Sequence, residues 1–419
     1  MDRRQFVKVA GAGAAGSAAI AAPAVAQSQP KVTWRLTSSY PKSLDTLYGI
    51  STHVAKRVAE ATDNNFQIQV FAPGEIVPAL QALDAVQNGT VECSHTLSSF
   101  YIGKDPAFAF ETSLPFGFNA RQQNAWLYQG GGLELCRSFM KTYNIHTIPS
   151  GNTGAQMGGW FRKEIKSLED LKGLKFRIAG LGGRIMARLG VVPQTIGGAD
   201  IYPALERGTL DAVEFSGPYD DEKLGFVKVA KYYYYPGFWE GNANVSFLAN
   251  QDKWNELPAS YRAIVEAACA EANAHCLAKY DHNNPDALIR LAGTGAELRP
   301  FPQEVMQAAF KEAFAMYGEL AASNPNFKTF YESFLPLLEE GAALVPHRRA
   351  ALRRLQRAVL RAGEVTGAPR RLVIPGAPRV DPGSHAGAFP ARAEAWISDR
   401  RRRGGLFGGV SERGDISSA

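Results

Sequence analysis

The chain has 419 residues, enough for two or three domains with an ample core. Apolar residues make up 45% and charged residues 21%, which excludes wholesale disorder, a collagen-like chain and a coiled coil. The net charge of +6 is unevenly placed: residues 341–419 hold 15 Arg, no Lys and 6 acidic groups, a balance of +9, so the first 340 carry −3 and offer no basic field for nucleic acid.

In chain order, the first feature is an export signal. Arg3-Arg4-Gln5-Phe6-Val7-Lys8, a small-residue run from Val9 to Ala22 and Ala24-Val25-Ala26 predict a twin-arginine signal peptide over residues 1–26. The mature chain would then begin near Gln27, in a periplasm or outside the cell. No later segment offers the run of about 18 apolar residues that a membrane span needs.

The runs Val32–Leu36 and Gln67–Phe71 predict strands, and Tyr48–Ala61 has helical spacing through Ile50, Val54 and Val58. A helix over 80–87 then passes through Gly89-Thr90 into a strand at Val91-Glu92. Strands alternating with helices predict parallel sheets of the α/β class. A similar helix, Gly-Thr and strand recur at Pro203–Asp211, an echo that suggests two alike α/β lobes with a cleft between them. Leu174–Ile178 predicts a strand, and Gly180-Leu181-Gly182-Gly183-Arg184 reads as a flexible turn feeding a helix over 185–189; it lacks the third glycine of a dinucleotide loop. The four cysteines have no C-x-x-C spacing. Cys269 and Cys276 fall on one helical face as core residues, with a single disulfide as the alternative.

Alternation places Arg177 opposite Phe176 and Ile178 at the carboxyl end of a parallel strand, where such sheets bind ligands, and its planar fork can hold a carboxylate. Gln156 lies among small residues before Trp160 and Phe161, Glu214 follows an apolar strand, and Glu240 follows the aromatic run Tyr232–Tyr235 with Phe238 and Trp239. Those three bulky rings, Trp160, Phe238 and Trp239, read as walls that dry a pocket.

The segments NTGAQMGGWFRKEI, LKGLKFRIAGLGG, DAVEFSGPYDDEKLGF and YYYYPGFWE resemble the solute-binding subunits of tripartite ATP-independent periplasmic (TRAP) transporters, in the DctP-like group that binds 2-oxo acids or lactate with a metal ion. The resemblance covers roughly residues 31–335. It implies a two-lobed periplasmic binding protein of type II-like α/β architecture, with a hinge and an interlobe cleft, that hands a small carboxylate to the small and large permease subunits in the membrane. The implied division is a first part of lobe I over 27–124, lobe II over 125–240, and a return to lobe I with bracing helices over 241–336.

Carried over residue by residue, the resemblance implies that Arg177 clamps the ligand carboxylate and that Gln156 contacts both ligand and ion. Glu214, the Phe215 carbonyl and Glu240 would complete the ion's protein ligands, and Tyr101 would offer a hydroxyl from lobe I. Amide, carbonyl and carboxylate oxygens suit Na⁺ or Ca²⁺. Several relatives have Trp where this chain has Phe215; the smaller ring would leave the backbone ligand alone and enlarge the pocket.

The resemblance ends at the tail. After about residue 337, Arg, Ala, Gly and Pro dominate, and Lys328 is the last lysine. The family's C-terminal bracing helix, which can be exchanged in a homodimer, has no match there. Out-of-frame translation of a GC-rich sequence is the favoured explanation. The other is a basic amphipathic helix over 348–360, and low order is expected beyond about 363.

The competing function is an exported enzyme using Glu214 and Glu240 as an acid/base pair. No nucleophile motif and no spaced histidine set accompanies them.

Overall fold

The computed structural model describes residues 29–341. The expected signal peptide, the helix over 348–360 and the remainder of the atypical tail lie outside the described residues.

Two sheets organise the chain. The first, ordered β2-β1-β3-β10-β4, contains β1 (Val32–Ser38), β2 (Phe66–Phe71), β3 (Cys93–Thr96), β4 (Ile145–Asn152) and β10 (Asn244–Asn250). The second, ordered β11-β9-β5-β8-β6-β7, contains β5 (Gly159–Phe161), β6 (Lys175–Arg177), β7 (Val192–Gln194), β8 (Ala212–Val213), β9 (Tyr232–Tyr235) and β11 (Glu297–Pro300). Helix α1 (Leu47–Ala61) buries Leu47, Ile50, Val54 and Val58 against the first sheet, on the stripe that its spacing predicts.

The sheets are mixed, not parallel as expected. β10 runs antiparallel to both β3 and β4, and β5 runs antiparallel to both β8 and β9. The reason is the double crossing: β4 leads the chain out of the first sheet and β10 brings it back, so the returning strand must oppose its neighbours. The mirror event happens at β5 and β9.

The Gly-Thr echo marks a repeated device. Helix α2 (Ala82–Gln87) ends before Gly89 and the strand β3; the later helix Gly198–Glu206 ends before Gly208 and the strand β8. Both glycines are left-handed, at φ +75° and +72°, which lets each helix turn directly into a strand. The first of these strands starts at Cys93, two residues later than expected.

The expected boundaries of the second lobe need correction. Helices α3 (Ala109–Thr112), α4 (Ala120–Gln129) and α5 (Gly132–Lys141) precede β4, and β4 is the edge of the first sheet, against which α5 packs; the second sheet begins at Gly159. β11 pairs with β9 and so belongs to the second sheet, not to a return into the first lobe. The glycine run is likewise no loop. Helix α6 (Gly180–Arg188) contains it, and a Cβ on Gly182 would sit 2.8 Å from the Trp239 Cβ, so bare backbone lets this helix lie close against Trp239.

Helix α7 (Gly198–Glu206) leads to β8, and α8 (Pro218–Leu224) follows it. The short α9 (Gln251–Glu256) precedes the 35-residue α10 (Ala259–Gly293), which packs on β4 and α1 of the first lobe and on α8 of the second. Cys269 and Cys276 are buried on α10, and all four cysteines are free thiols. Helix α11 (Gln303–Ser323) packs on α6 in the second lobe, whereas α12 (Pro325–Gly341) packs on α4 and α5 in the first.

A buried carboxylate ties the lobes beside α10. The Thr46 hydroxyl donates to Asp220 at 2.6 Å, and the Tyr280 hydroxyl donates to the same carboxylate at 2.5 Å. Burial raises the Asp220 carboxyl to about 6 despite these donors. The unfolded value is about 3.9, so the folded state binds more protons between these limits and stability falls as pH rises through that window. We expect Asp220→Asn to remove that part of the decline, on the order of 3 kcal/mol, with no difference in slope below pH 4 or above pH 7. Urea unfolding of both proteins at half-unit pH steps measures it.

Candidate functional site

Four segments meet at the end of β6. Arg177 is the last residue of that strand, flanked by β7 and β8 in parallel, and its carbonyl accepts from the Glu214 amide at 2.9 Å. Residues 156–158, leading into β5, lie between the segments that follow β8 and β9. Met157 N–H donates to the Ser216 carbonyl, Gly158 N–H to the Tyr234 carbonyl and Gln156 N–H to the Glu240 carbonyl. This backbone ladder, rather than side-chain packing, brings Gln156, Glu214 and Glu240 to one place.

Arg177 is 3% exposed. Its Nε donates to the Ile196 carbonyl at 3.3 Å and its Nη1 to the Glu214 carbonyl at 2.5 Å, with the Glu214 carboxylate 3.4 Å away. No hydrogen bond joins Nη2 to any described residue. The Phe215 ring centroid is 5.4 Å from the guanidinium carbon, within cation–π range.

The electrostatics are unbalanced. Burial lowers the Arg177 pKa, opposed first by Glu214 and then by Glu240. Glu214 is raised to about 7, by burial, against the pull of Arg177. Glu240 lies well above the usual carboxylate range, by burial first and by Glu214 second. Two buried oxygens, Gln156 Oε1 and Glu214 Oε1, have no hydrogen-bond partner, an expensive condition in a dry site. Acceptors aimed at nothing beside a carboxylate pair fit a hard cation bound by oxygens. Among the described residues no group of three or more His, Cys, Asp or Glu is assembled for a metal, so a thiolate or imidazole centre has no counterpart here.

The structure brings together Arg177, Gln156, Glu214, Phe215 and Glu240. Tyr101 lies in the first lobe, where its hydroxyl accepts from the Leu83 amide at 3.0 Å and lies 3.2 Å from Thr96 Oγ1, within electrostatic reach of Tyr40. Tyr40 is the tyrosine that the sequence reading missed. It is 3% exposed, its hydroxyl has no partner, and it lies within electrostatic reach of Glu240 and Arg177. Its signal was present, since Ser39-Tyr40 directly follows β1, whose neighbours β2 and β3 run parallel to it. The rule that picked Arg177 applies equally there.

The expected pocket walls are core residues. Trp160 stacks on Tyr233 at 3.9 Å, and both donate to Asp221; Trp239 packs edge-on against Phe176 and Phe301, and Phe238 stacks on Phe116. The aromatic ring over Arg177 is that of Phe215, which is half-buried.

Residues 37–324 match the family of bacterial extracellular solute-binding proteins, family 7 (DctP), and the chain belongs to that family. It is 52% identical over 339 residues to a monocarboxylate 2-oxoacid-binding periplasmic protein of Nostoc, an alignment covering 80% of this chain and 93% of the relative. A TRAP transporter solute-binding protein from Bordetella bronchiseptica, a mixed-occupancy dimer with a calcium- and picolinate-bound active site and an apo site, is 50% identical with a TM-score of 0.75, covering 80% of this chain and all of that one. One from Pseudoalteromonas atlantica, with bound sodium and pyruvate, is 36% identical with a TM-score of 0.73, covering 77% and 99%. The chain is thus a two-lobed α/β solute-binding protein of the TRAP class.

One glycine holds the ladder in register. Gly159 has φ +93°, and a Cβ there would lie 2.4 Å from the Val213 carbonyl oxygen and 3.2 Å from the Glu214 Cα. We expect Gly159→Ala to cost about 2–4 kcal/mol, through both strain and overlap, read as a lowered urea midpoint with unchanged slope.

Proposed function

We propose that this protein captures a small 2-oxo monocarboxylate, pyruvate or a close relative, together with Ca²⁺ or Na⁺, and presents it to the membrane subunits of a TRAP transporter. The observation that carries the reading is the pairing of a buried guanidinium, Nη2 unengaged, with the unpartnered Oε1 atoms of Gln156 and Glu214. The ligands of the Nostoc, Bordetella and Pseudoalteromonas relatives support the same class.

In this reading Arg177 grips the carboxylate with the edge that its protein partners leave free. Gln156, Glu214, Glu240 and the Phe215 carbonyl would hold the cation, which supplies a Lewis-acidic contact for a carboxylate oxygen and the C2 oxygen. Lactate, a 2-hydroxy acid, offers the same pair of oxygens. Tyr40 adds a neutral hydroxyl from the first lobe. Charge counting agrees: one guanidinium and two carboxylates sum to −1, and a monocarboxylate with a divalent cation brings the buried set to zero.

An acid/base enzyme is not favoured. Glu214 acts directly on Glu240 and Arg177 acts on both, so the two carboxylates form one cluster around the guanidinium, whereas a hydrolytic pair must flank a scissile bond. We assign export to the twin-arginine motif and residence to the periplasm, where the family works.

Ligand binding to the native state raises the melting temperature by mass action. Pyruvate at 100 times its dissociation constant should add about 2.7 kcal/mol in the presence of Ca²⁺ or Na⁺. Arg177→Lys, which keeps the charge and loses the fork, should weaken pyruvate by at least tenfold, or about 1.4 kcal/mol. Glu214→Gln should abolish the dependence on added cation. A wild-type melting curve indifferent to every C3–C6 2-oxo or 2-hydroxy acid, with and without each cation, would overturn the reading.

A further inference from the structure

The ring beside Arg177 is seated against a residue with no side chain. A Cβ on Gly198, the first residue of α7, would lie 3.0 Å from Phe215 Cε2 and 3.3 Å from its Cζ, tighter than ordinary side-chain contact. Behind the ring stands Phe226, edge-on with centroids 6.3 Å apart, and over its face lies the Arg177 guanidinium at 5.4 Å. Three sides are therefore occupied. Phe215 is nevertheless half-buried, while Glu214 and Ser216 on either side of it are buried; it packs against apolar side chains of both lobes and keeps part of its surface exposed.

The same turn receives the first lobe. The Cβ position at Gly198 is 3.7 Å from Pro41 Cδ, next to Tyr40, and that at Gly197 is 3.3 Å from the Ala79 Cβ. Pocket wall and lobe seam thus share one piece of backbone.

We propose that Gly198 and Phe215 form the specificity-determining wall for the group attached to C2 of the bound acid, and that the bare Cα of Gly198 sets how far the ring projects into the cleft. This rests on the 2-oxo acid reading above. Arg177 and the oxygen ligands read the carboxylate and the C2 oxygen, which every member of the class shares. Discrimination among members must come from whatever meets the rest of the molecule, and Phe215 is the apolar group beside the clamp. A methyl at Gly198 pushes the ring tip away from α7, with Phe226 and Arg177 limiting where it can go; a Leu at 215 withdraws the wall. A pocket that rejects one methylene discriminates by about tenfold or more.

The test is calorimetric titration of pyruvate, 2-oxobutyrate, 2-oxovalerate and 2-oxohexanoate, at saturating Ca²⁺, into the wild type, Gly198→Ala and Phe215→Leu. The quantity read is the ratio of dissociation constants for 2-oxohexanoate and pyruvate. We expect Gly198→Ala to raise that ratio at least tenfold and Phe215→Leu to lower it at least fivefold. A merely structural role would shift both acids equally, so ratios within twofold of wild type in the two variants overturn the proposal. Should Gly198→Ala fail to fold, the Phe215→Leu ratio decides alone. A wild type that binds none of the four acids is a separate outcome: it refutes the 2-oxo acid reading itself, and the wall proposal with it.

Discussion

Taking a guanidinium and a carboxylate out of water together is the constraint around which this protein is arranged. Arg177 and Glu214 are each about 3% exposed, and their closest charged atoms are 3.4 Å apart, too far for the bidentate geometry that would repay desolvation. The pair is held by the backbone instead: Arg177 Nη1 donates to the Glu214 carbonyl, and the Glu214 amide donates to the Arg177 carbonyl. Strands β6 and β8 thus fix both residues before their charges meet. A site so built is preorganised and under-compensated, which is what a receptor for a charged pair of ligands requires.

The path of the chain explains how such a site comes to face a second lobe. Two short segments, 153–158 and 236–243, the helix α10 and the junction between α11 and α12 carry it between the lobes. At the crossing, the Thr153 amide donates to the Ala243 carbonyl, the Ala243 amide donates to Thr153 Oγ1, and Asn152 Nδ2 donates to Asn242 Oδ1. Thr153 Oγ1 also accepts from Gln156 Nε2, so one hydroxyl joins the crossing to a site residue. Connections this few make relative motion of the lobes the default expectation, with the crossing as hinge.

Much of this was legible in the residues, and the parts that were not share a cause. Arg177 declared itself because a charged residue at the end of an apolar strand has few explanations, and Gln156, Glu214 and Glu240 followed from long motifs. Strand direction did not, since alternation along β10 or β5 is the same whichever way a strand runs. Trp160 was misjudged for a related reason: it is four residues from Gln156, but it pairs with Val213 and Tyr233 inside the sheet, so nearness in sequence put it on the wrong face. The glycines of α6 were read through their conformational freedom when Gly182 serves close packing against Trp239. Tyr40 went unnoticed because a tyrosine after two serines has no motif; only its position at the end of β1 distinguishes it.

The division of labour between the lobes follows from these placements. Arg177 and Glu214 belong to the second lobe, Glu240 sits on the segment that leads back from it, and the first lobe contributes the neutral Tyr40. Under the proposed reading, an anion and a cation can therefore seat on one lobe while the cleft is still wet, without waiting for a partner charge from across it. The first lobe then brings an uncharged hydroxyl and the Pro41 contact, which exclude water and strengthen the electrostatics already in place. Had the site's charges been split between lobes, they would add to the ion pair that Lys223 and Asp45 already form across the seam. Keeping them together leaves closure to be driven by the ligand, because only a neutralised site makes a dry seam tolerable.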